Sequence, residues 1–256
     1  MFGARTMGSV DDNYFCHLIA ENPASFLHLL ARTRVVDHLE WSLQGDPAAT
    51  LDQLVRALRL TASSGVARQW RDELLVLRDA DNVSIGVVER GAARLLGIST
   101  CAVHLVGCDE KGRTWIQQRS WKKSIDPGKW DTLMGGMISA VDTLESALER
   151  ETWEEAGIQV ASLIYLRPGG QVALNKPNLC DGGIGYVNER IDWFECLLPD
   201  HVKPVNQDGE VERFALVSQQ EIKHMLEDNQ FTTEAALILV RHLFGISVCM
   251  TTLTGL

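Results

Sequence analysis

Residues 136–158 read GMISAVDTLESALERETWEEAGI, the most informative run in the chain. A helix is predicted over residues 142–156. Asp142 with Glu145 three positions on gives a capping-box start, and Gly157 supplies the stop. On that helix Glu151, Glu154 and Glu155 fall at i, i+3 and i+4, so three carboxylates share one face. Like charges this close repel unless cations offset them. Arg150 can neutralise one, and a hard divalent cation held by oxygen ligands would neutralise the rest. An acidic face left to solvent is the plain alternative in an acidic protein.

Just upstream, Arg119-Ser-Trp-Lys-Lys-Ser-Ile-Asp-Pro-Gly-Lys129 carries four cations and one anion. This density points Arg119, Lys122, Lys123 and Lys129 at phosphate, against the alternative of a solvated loop. Trp121 and Trp130 flank the loop. Trp121 is a candidate stacking surface, whereas Trp130 reads more readily as core. Strands are expected over 101–106 and 115–118, separated by the turn Asp109-Glu-Lys-Gly112, and again over 162–166, 191–197 and 213–217. Trp130–Ile138 joins the basic loop to the acidic helix through the Gly135-Gly136 pair, and helices close the chain over 219–227 and 233–244. Strand hairpins with helices to either side predict an α/β sandwich. In Asp208-Gly-Glu210, Glu210 is a further carboxylate for chemistry or part of an ordinary exposed turn.

Every lysine lies at or beyond Lys111, and most of the net charge of −10 falls beyond Gly97. A boundary there gives a smaller α+β domain over 1–97 and a second domain over 98–256. In the first, helical spacing is read from Pro23 through Val35, Val36 and Leu39, and from Asp46-Pro47 through Leu51, Leu54, Val55 and Leu58. Leu74–Leu77 reads as a strand, and Val87–Leu96 as a helix with Val88, Ala92 and Leu95 on one side. Arg71 and Glu73, with Glu89 and Arg90, are candidate substrate contacts or members of an ion-pair network between domains.

Composition narrows the classes. Of 256 residues 45% are hydrophobic and 23% charged, which suits a chain with a real core and excludes disorder. The acidic balance argues against a nucleic-acid surface, and no apolar run reaches membrane-spanning length. The opening MFGARTMGSVDDNYF has neither a signal core nor a transit composition, so a cytoplasmic location is expected. Cysteines 16, 101, 108, 180, 196 and 249 form no C-x-x-C pair and read as buried or idle thiols, and the seven histidines show no metal-type spacing.

Residues 136–158 closely resemble the Nudix box, G-x5-E-x7-R-E-U-x-E-E-x-G-U, where U is a bulky aliphatic residue. Gly136, Arg150, Glu151, Glu154, Glu155, Gly157 and Ile158 match; Asp142 stands for Glu and Thr152 for an aliphatic residue. Asp142 is read as the helix N-cap, and Thr152 offers less apolar surface to a sheet beneath. The resemblance implies a Nudix α/β/α sandwich with a mixed sheet. It also implies Mg²⁺, or Mn²⁺ in its place, held by Glu151, Glu154, Glu155 and the Gly136 carbonyl, for hydrolysis of an organic diphosphate. Glu151 and Glu210 are the candidate bases, and Arg150 belongs with the catalytic group.

The resemblance extends to Arg71-Asp-Glu73, Val88–Ile98, Val103–Gly107, Asp126-Pro-Gly-Lys-Trp-Asp131 and Asp208–Phe214. These segments are similar to a Nudix subfamily with an extra N-terminal domain, implied to recognise substrate. That subfamily includes the Nudix half of a fungal thiamine pyrophosphokinase fusion, a yeast hydrolase of damaged thiamine diphosphates and plant chloroplast Nudix proteins. It implies thiamine diphosphate or an oxidised analogue as substrate, cut to monophosphate and phosphate. The expected partner is thus a small-molecule diphosphate, with no nucleic acid or membrane and with a homodimer left open. The alternatives are a hydrolase of a nucleoside diphosphate derivative, an enzyme like isopentenyl diphosphate isomerase, and a non-catalytic Nudix ligand sensor. Isomerase chemistry needs a cysteine acid/base in the strand before the helix, and Trp130-Asp-Thr-Leu-Met-Gly135 has none.

Overall fold

A computed structural model describes residues 5–35, 38–79, 81–178 and 185–245. These separate into two compact units. One holds the residues up to 100 with 139–141 and 175–189; the other holds 101–138, 142–174 and the residues from 190 onward.

In the first unit Asp11 caps α1 (Asp12–Glu21), accepting from the Tyr14 N–H at 2.8 Å, and Pro23 opens the single turn α2 (Pro23–Phe26). The chain then forms an antiparallel hairpin of β1 (Leu30–Val35) and β2 (His38–Leu43), in register from Leu30↔Leu43 to Val35↔His38. This corrects the helical reading of Val35 and Leu39; Val36 lies outside the described residues. Thr33, Val35 and Trp41 suit a pleated surface, and Trp41 meets Phe15 edge-on with centroids 5.2 Å apart. Asp46 caps α3 (Pro47–Leu60) at the Ala49 N–H, 2.9 Å, and Leu51, Leu54, Val55 and Leu58 are buried on one face, as their spacing requires. The turn α4 (Val66–Gln69) leads to a second hairpin, β3 (Leu74–Arg78) and β4 (Ser84–Glu89). The helix expected from Val87 begins only at α5 (Arg90–Ala93), because Val87 and Val88 pair with Val76 and Leu75 across the hairpin.

The remaining elements are β5 (Ser99–Cys108), β6 (Thr114–Arg119), β7 (Trp130–Asp131), β8 (Met134–Met137), α6 (Leu144–Ala156), β9 (Ile164–Asn178), β10 (Gly185–Leu197), β11 (Val211–Val217), α7 (Gln219–Glu227) and α8 (Thr233–Phe244). The sheet order is β11-β6-β5-β10-β9, with β7 on β6 and β8 on β5. Neighbours β11, β6, β5 and β8 pair antiparallel. The Leu198 N–H at the end of β10 donates to the Cys108 carbonyl at the end of β5, 2.8 Å, so those two strands run the same way and the sheet is mixed. Val103 and Leu105 pack with Ala147, Leu148 and Ala156 of α6 on one side. Ile116 packs with Ile222 of α7 and with Ala235 and Leu239 of α8 on the other. The fold is the expected α/β/α sandwich.

Two local readings change. The N-cap of α6 is Thr143, in a capping box with Ser146, and not Asp142 with Glu145; the Asp142 carboxylate is taken by Arg150. The strand expected from Ser162 begins at Ile164, because Val160–Ser162 forms a 3-10 turn. Cys16, Cys101, Cys108 and Cys196 are free thiols, and Cys180 and Cys249 lie outside the described residues. Among the described residues no helix is long and apolar enough to cross a membrane.

Candidate active site

The Thr143 cap starts α6 so that Arg150, Glu151, Glu154 and Glu155 occupy its last two turns, and Gly157 ends it at φ 63°. Glu155 faces inward and is 3% exposed. One of its oxygens accepts from Gln117 Nε2 at 2.8 Å and from the Gly135 N–H at 3.0 Å. Both donors are neutral, so burial, and after it the charge of Glu151, push the Glu155 carboxyl up to about 8. Glu151 lies over Gly136 so closely that a Cβ there would sit 2.0 Å from the Glu151 Cδ. Only glycine lets the β8 backbone and that carboxylate meet.

Arg150 gathers the anions. Its Nη1 reaches Glu151 at 2.8 Å and Glu154 at 3.1 Å, while Nη2 reaches Asp142 at 2.6 Å and the Met137 carbonyl at 3.4 Å. Burial works against this guanidinium's charge, but the bond to Asp142 and the charge of Glu151 more than offset it, leaving its pKa raised. Glu154 is the most open of the three glutamates. As they stand, no three acidic, histidine or cysteine side chains among the described residues converge on one point. The donors nonetheless suit a hard divalent cation. They are carboxylate oxygens beside a backbone carbonyl, and one of them is a buried carboxylate with no cationic partner among the described residues.

The basic loop divides its tasks. Arg119 turns inward, with Nε and Nη2 donating to the Ile125 carbonyl at 3.3 and 3.1 Å and Nη1 lying 3.7 Å from Asp131. It therefore holds the loop. Lys122 is exposed, Lys123 pairs with Glu210, and Lys129 Nζ lies 3.5 Å from Asn229 Oδ1. Trp121 is 65% exposed and lies against Gly128, where a Cβ would come within 2.3 Å of its ring. Trp130 packs at the edge of the α7–α8 core, with the Arg213 guanidinium 5.2 Å from its ring centre.

In the first unit, Glu73 pairs with Arg90 at 2.6 Å, and buried Glu89 accepts from the N–H groups of Arg71 and Gly91 at 2.9 and 3.3 Å. All of these residues belong to that one unit. A cavity of about 280 Å³ in the same unit is lined by Asp12, Phe15, His38, Glu40 and Trp41 among others, not by Arg71 or Glu73.

Sequence reasoning missed three buried polar residues. Gln117 holds Glu155. His104 is 5% exposed, with Nδ1 at 2.9 Å from Thr132 Oγ1 and its ring where a Gly135 side chain would be. Asp131 accepts from the Thr132 N–H at 2.8 Å and from Thr232 Oγ1 at 3.2 Å. The available signal was a polar residue at an inward position of a strand.

The family model of the NUDIX domain matches residues 99–237, more than half of the chain, and the chain belongs to the Nudix family. Nudix hydrolase 24, chloroplastic, of Arabidopsis thaliana is 27% identical over 75% of this chain and 53% of its own length. An isopentenyl-diphosphate Delta-isomerase of Streptomyces coelicolor is 30% identical over 68% of this chain and 88% of its own. Among solved structures, DR0079 of Deinococcus radiodurans superposes with a TM-score of 0.53 at 18% identity, covering 66% of this chain and 98% of that one, which shows the shared fold. The chain spans 50–59% of the length of the yeast and plant relatives it matches.

Proposed function

We propose that the chain is a Mg²⁺-dependent Nudix pyrophosphohydrolase acting on a small organic diphosphate. The observation that carries this reading is helix α6, where Glu151 lies over Gly136, buried Glu155 accepts from the Gly135 N–H and Glu154 shares the Arg150 guanidinium with Glu151. Family members generally use a divalent metal. Glu151, Glu154, Glu155 and the Gly136 carbonyl would hold it here, with Mn²⁺ able to stand in. When bound, such a cation masks diphosphate charge and lowers the pKa of water.

The chain's own groups do the rest. Glu151 takes the proton of the attacking water, with Glu210 as the second candidate. Arg150 orients Glu151 and Glu154. Lys122, Lys123 and Lys129 attract the phosphate end, and Trp121 offers a flat cationic ring a stacking face worth about 0.5–2 kcal/mol. The substrate we assign is thiamine diphosphate or an oxidised analogue, hydrolysed with one water to the monophosphate and phosphate. Its support is the similarity of residues 71–73, 88–98, 126–131 and 208–214 to the thiamine-related Nudix subfamily, together with the exposed Trp121.

The similarity to an isopentenyl-diphosphate isomerase favours a second reading, but residues 130–135 offer no cysteine to move a proton. Single-turnover assays with Mg²⁺ decide among these. The panel is thiamine diphosphate, its oxo and oxy analogues, ADP-ribose, NADH, deoxynucleoside triphosphates and isopentenyl diphosphate. We expect a thiamine compound to lead and Glu154→Gln to lose at least a hundredfold in rate. A tenfold preference for a nucleotide overturns the substrate, isomerised isopentenyl diphosphate overturns the reaction, and silence on the whole panel favours a ligand sensor.

A further inference from the structure

We propose that Gln117 is a positioning residue that presents the Glu155 carboxylate to a divalent cation, an inference that rests on the cation reading above. Gln117 lies on β6 opposite Phe214 of β11 and Asp131 of β7, and is 2% exposed. Its neighbour two positions back, Trp115, packs into the core beneath α6, while Ile116 points to the α7–α8 side. The pleat therefore directs Gln117 towards α6.

There its Nε2 donates to Glu155 Oε2 at 2.8 Å, and the Gly135 N–H donates to the same oxygen at 3.0 Å. Two donors on one oxygen fix the plane of the carboxylate and leave Oε1 as the oxygen without a donor among the described residues. The amide also does this without charge. A lysine or arginine at 117 would neutralise Glu155 and compete with a cation, whereas glutamine orients the carboxyl and adds no positive charge beside it.

The second observation is a cost. Gln117 Oε1 is buried with no hydrogen-bond partner among the described residues. An apolar residue of similar size would fill the slot without that penalty, so an amide at this point in the core serves the carboxylate and not the packing.

The test is Mn²⁺ binding by the full chain, followed by electron paramagnetic resonance, in the wild type and in Gln117→Leu, Gln117→Met, Glu154→Gln, Glu155→Gln and the Gln117→Leu/Glu155→Gln pair. Gln117→Leu and Gln117→Met are expected to raise the Mn²⁺ Kd about tenfold, in the range of lost supporting contacts at metal sites. Both variants should still fold, with melting temperatures in EDTA within a few degrees of the wild type's, because the lost bond to Glu155 and the removed unpartnered Oε1 offset each other. In the Glu155→Gln background the Leu substitution should add nothing, which a merely structural role would not produce. If either variant melts like the wild type and binds Mn²⁺ within twofold of it, the proposal is overturned. Failure of both to fold assigns Gln117 to the scaffold and overturns it equally. If the wild type binds no Mn²⁺, or Glu154→Gln binds as well as the wild type, it is the underlying cation reading that fails.

Discussion

One oxygen of Asp142 receives two nitrogens of Arg150, Nη2 at 2.6 Å and Nε at 3.2 Å, so the loop before α6 is tied to the helix's central arginine. The Nudix box has glutamate at this position. The shorter aspartate reaches the guanidinium from just outside the helix because Thr143, one residue on, takes over the cap. Asp142→Ala should cost about 1–2 kcal/mol in urea unfolding, since the pair is partly buried and charge-assisted. It should also lower kcat/KM, because Arg150 then settles wholly on Glu151 and Glu154. Asp142→Glu should stay close to wild type in both. A neutral outcome for Asp142→Ala would show that Arg150 is held well enough by the glutamates alone.

Glu155 sets a pH dependence whose sign follows from its raised pKa. Below the ordinary value of 4.5 the folded and unfolded chains both hold the proton. As pH climbs towards about 8 the unfolded chain releases it and the folded chain keeps it, so stability falls by at most about 1.4 kcal/mol per pH unit and then levels off. Melting temperatures in EDTA should decline across this window in the wild type and decline less in Glu155→Gln. A divalent cation prefers the ionised form, so its apparent affinity should rise with pH over the same window. Parallel wild-type and Glu155→Gln profiles would refute the assignment of the shift to Glu155.

What the sequence made legible depended on how local the physics was. The closing helices, 219–227 and 233–244, were readable because apolar spacing and caps such as Ser218 with Glu221 lie within a few residues of each other. Gathering Glu151, Glu154 and Glu155 with Arg150 needed only the helical period. The first unit was harder. Its hairpins at 30–43 and 74–89 depend on cross-strand partners, so Val87 and Val88 passed for helix until Val76 and Leu75 were set beside them. The polar floor of the site was unreadable for the same reason: Gln117 reaches Glu155 across 38 residues, and Asp131 meets Thr232 across 101. Such pairs exist only once the sheet has assembled.

Gly136→Ala should remove activity with little loss of fold. The new methyl would sit 2.0 Å from the Glu151 Cδ and must displace that carboxylate, one end of which Arg150 already holds. A flexible side chain can move, so the melting temperature should drop by only a few degrees, while a base or ligand shifted by about 1 Å loses on the order of a hundredfold in rate. Circular dichroism with single-turnover assays separates the two effects. Near-wild-type turnover would remove Glu151 from the reacting centre.

Thr152 stands where the Nudix box has an aliphatic residue, and the structure shows what the departure costs. Its side chain is fully buried on the inner face of α6, and its hydroxyl has no hydrogen-bond partner among the described residues. A hydroxyl desolvated without a partner is penalised by about 1–3 kcal/mol relative to an apolar group of the same shape. Valine is that group, since it replaces the hydroxyl with a methyl and keeps the branched Cβ. The small loss of helix propensity shared by both residues cancels. Thr152→Val should therefore stabilise the protein by about 1 kcal/mol, read as a higher urea midpoint with an unchanged m-value. Rates should hold, because Glu151 and Glu155 stay on their own positions of the helix. A destabilised Thr152→Val would mean that the hydroxyl is satisfied in solution, by a water held between α6 and the sheet.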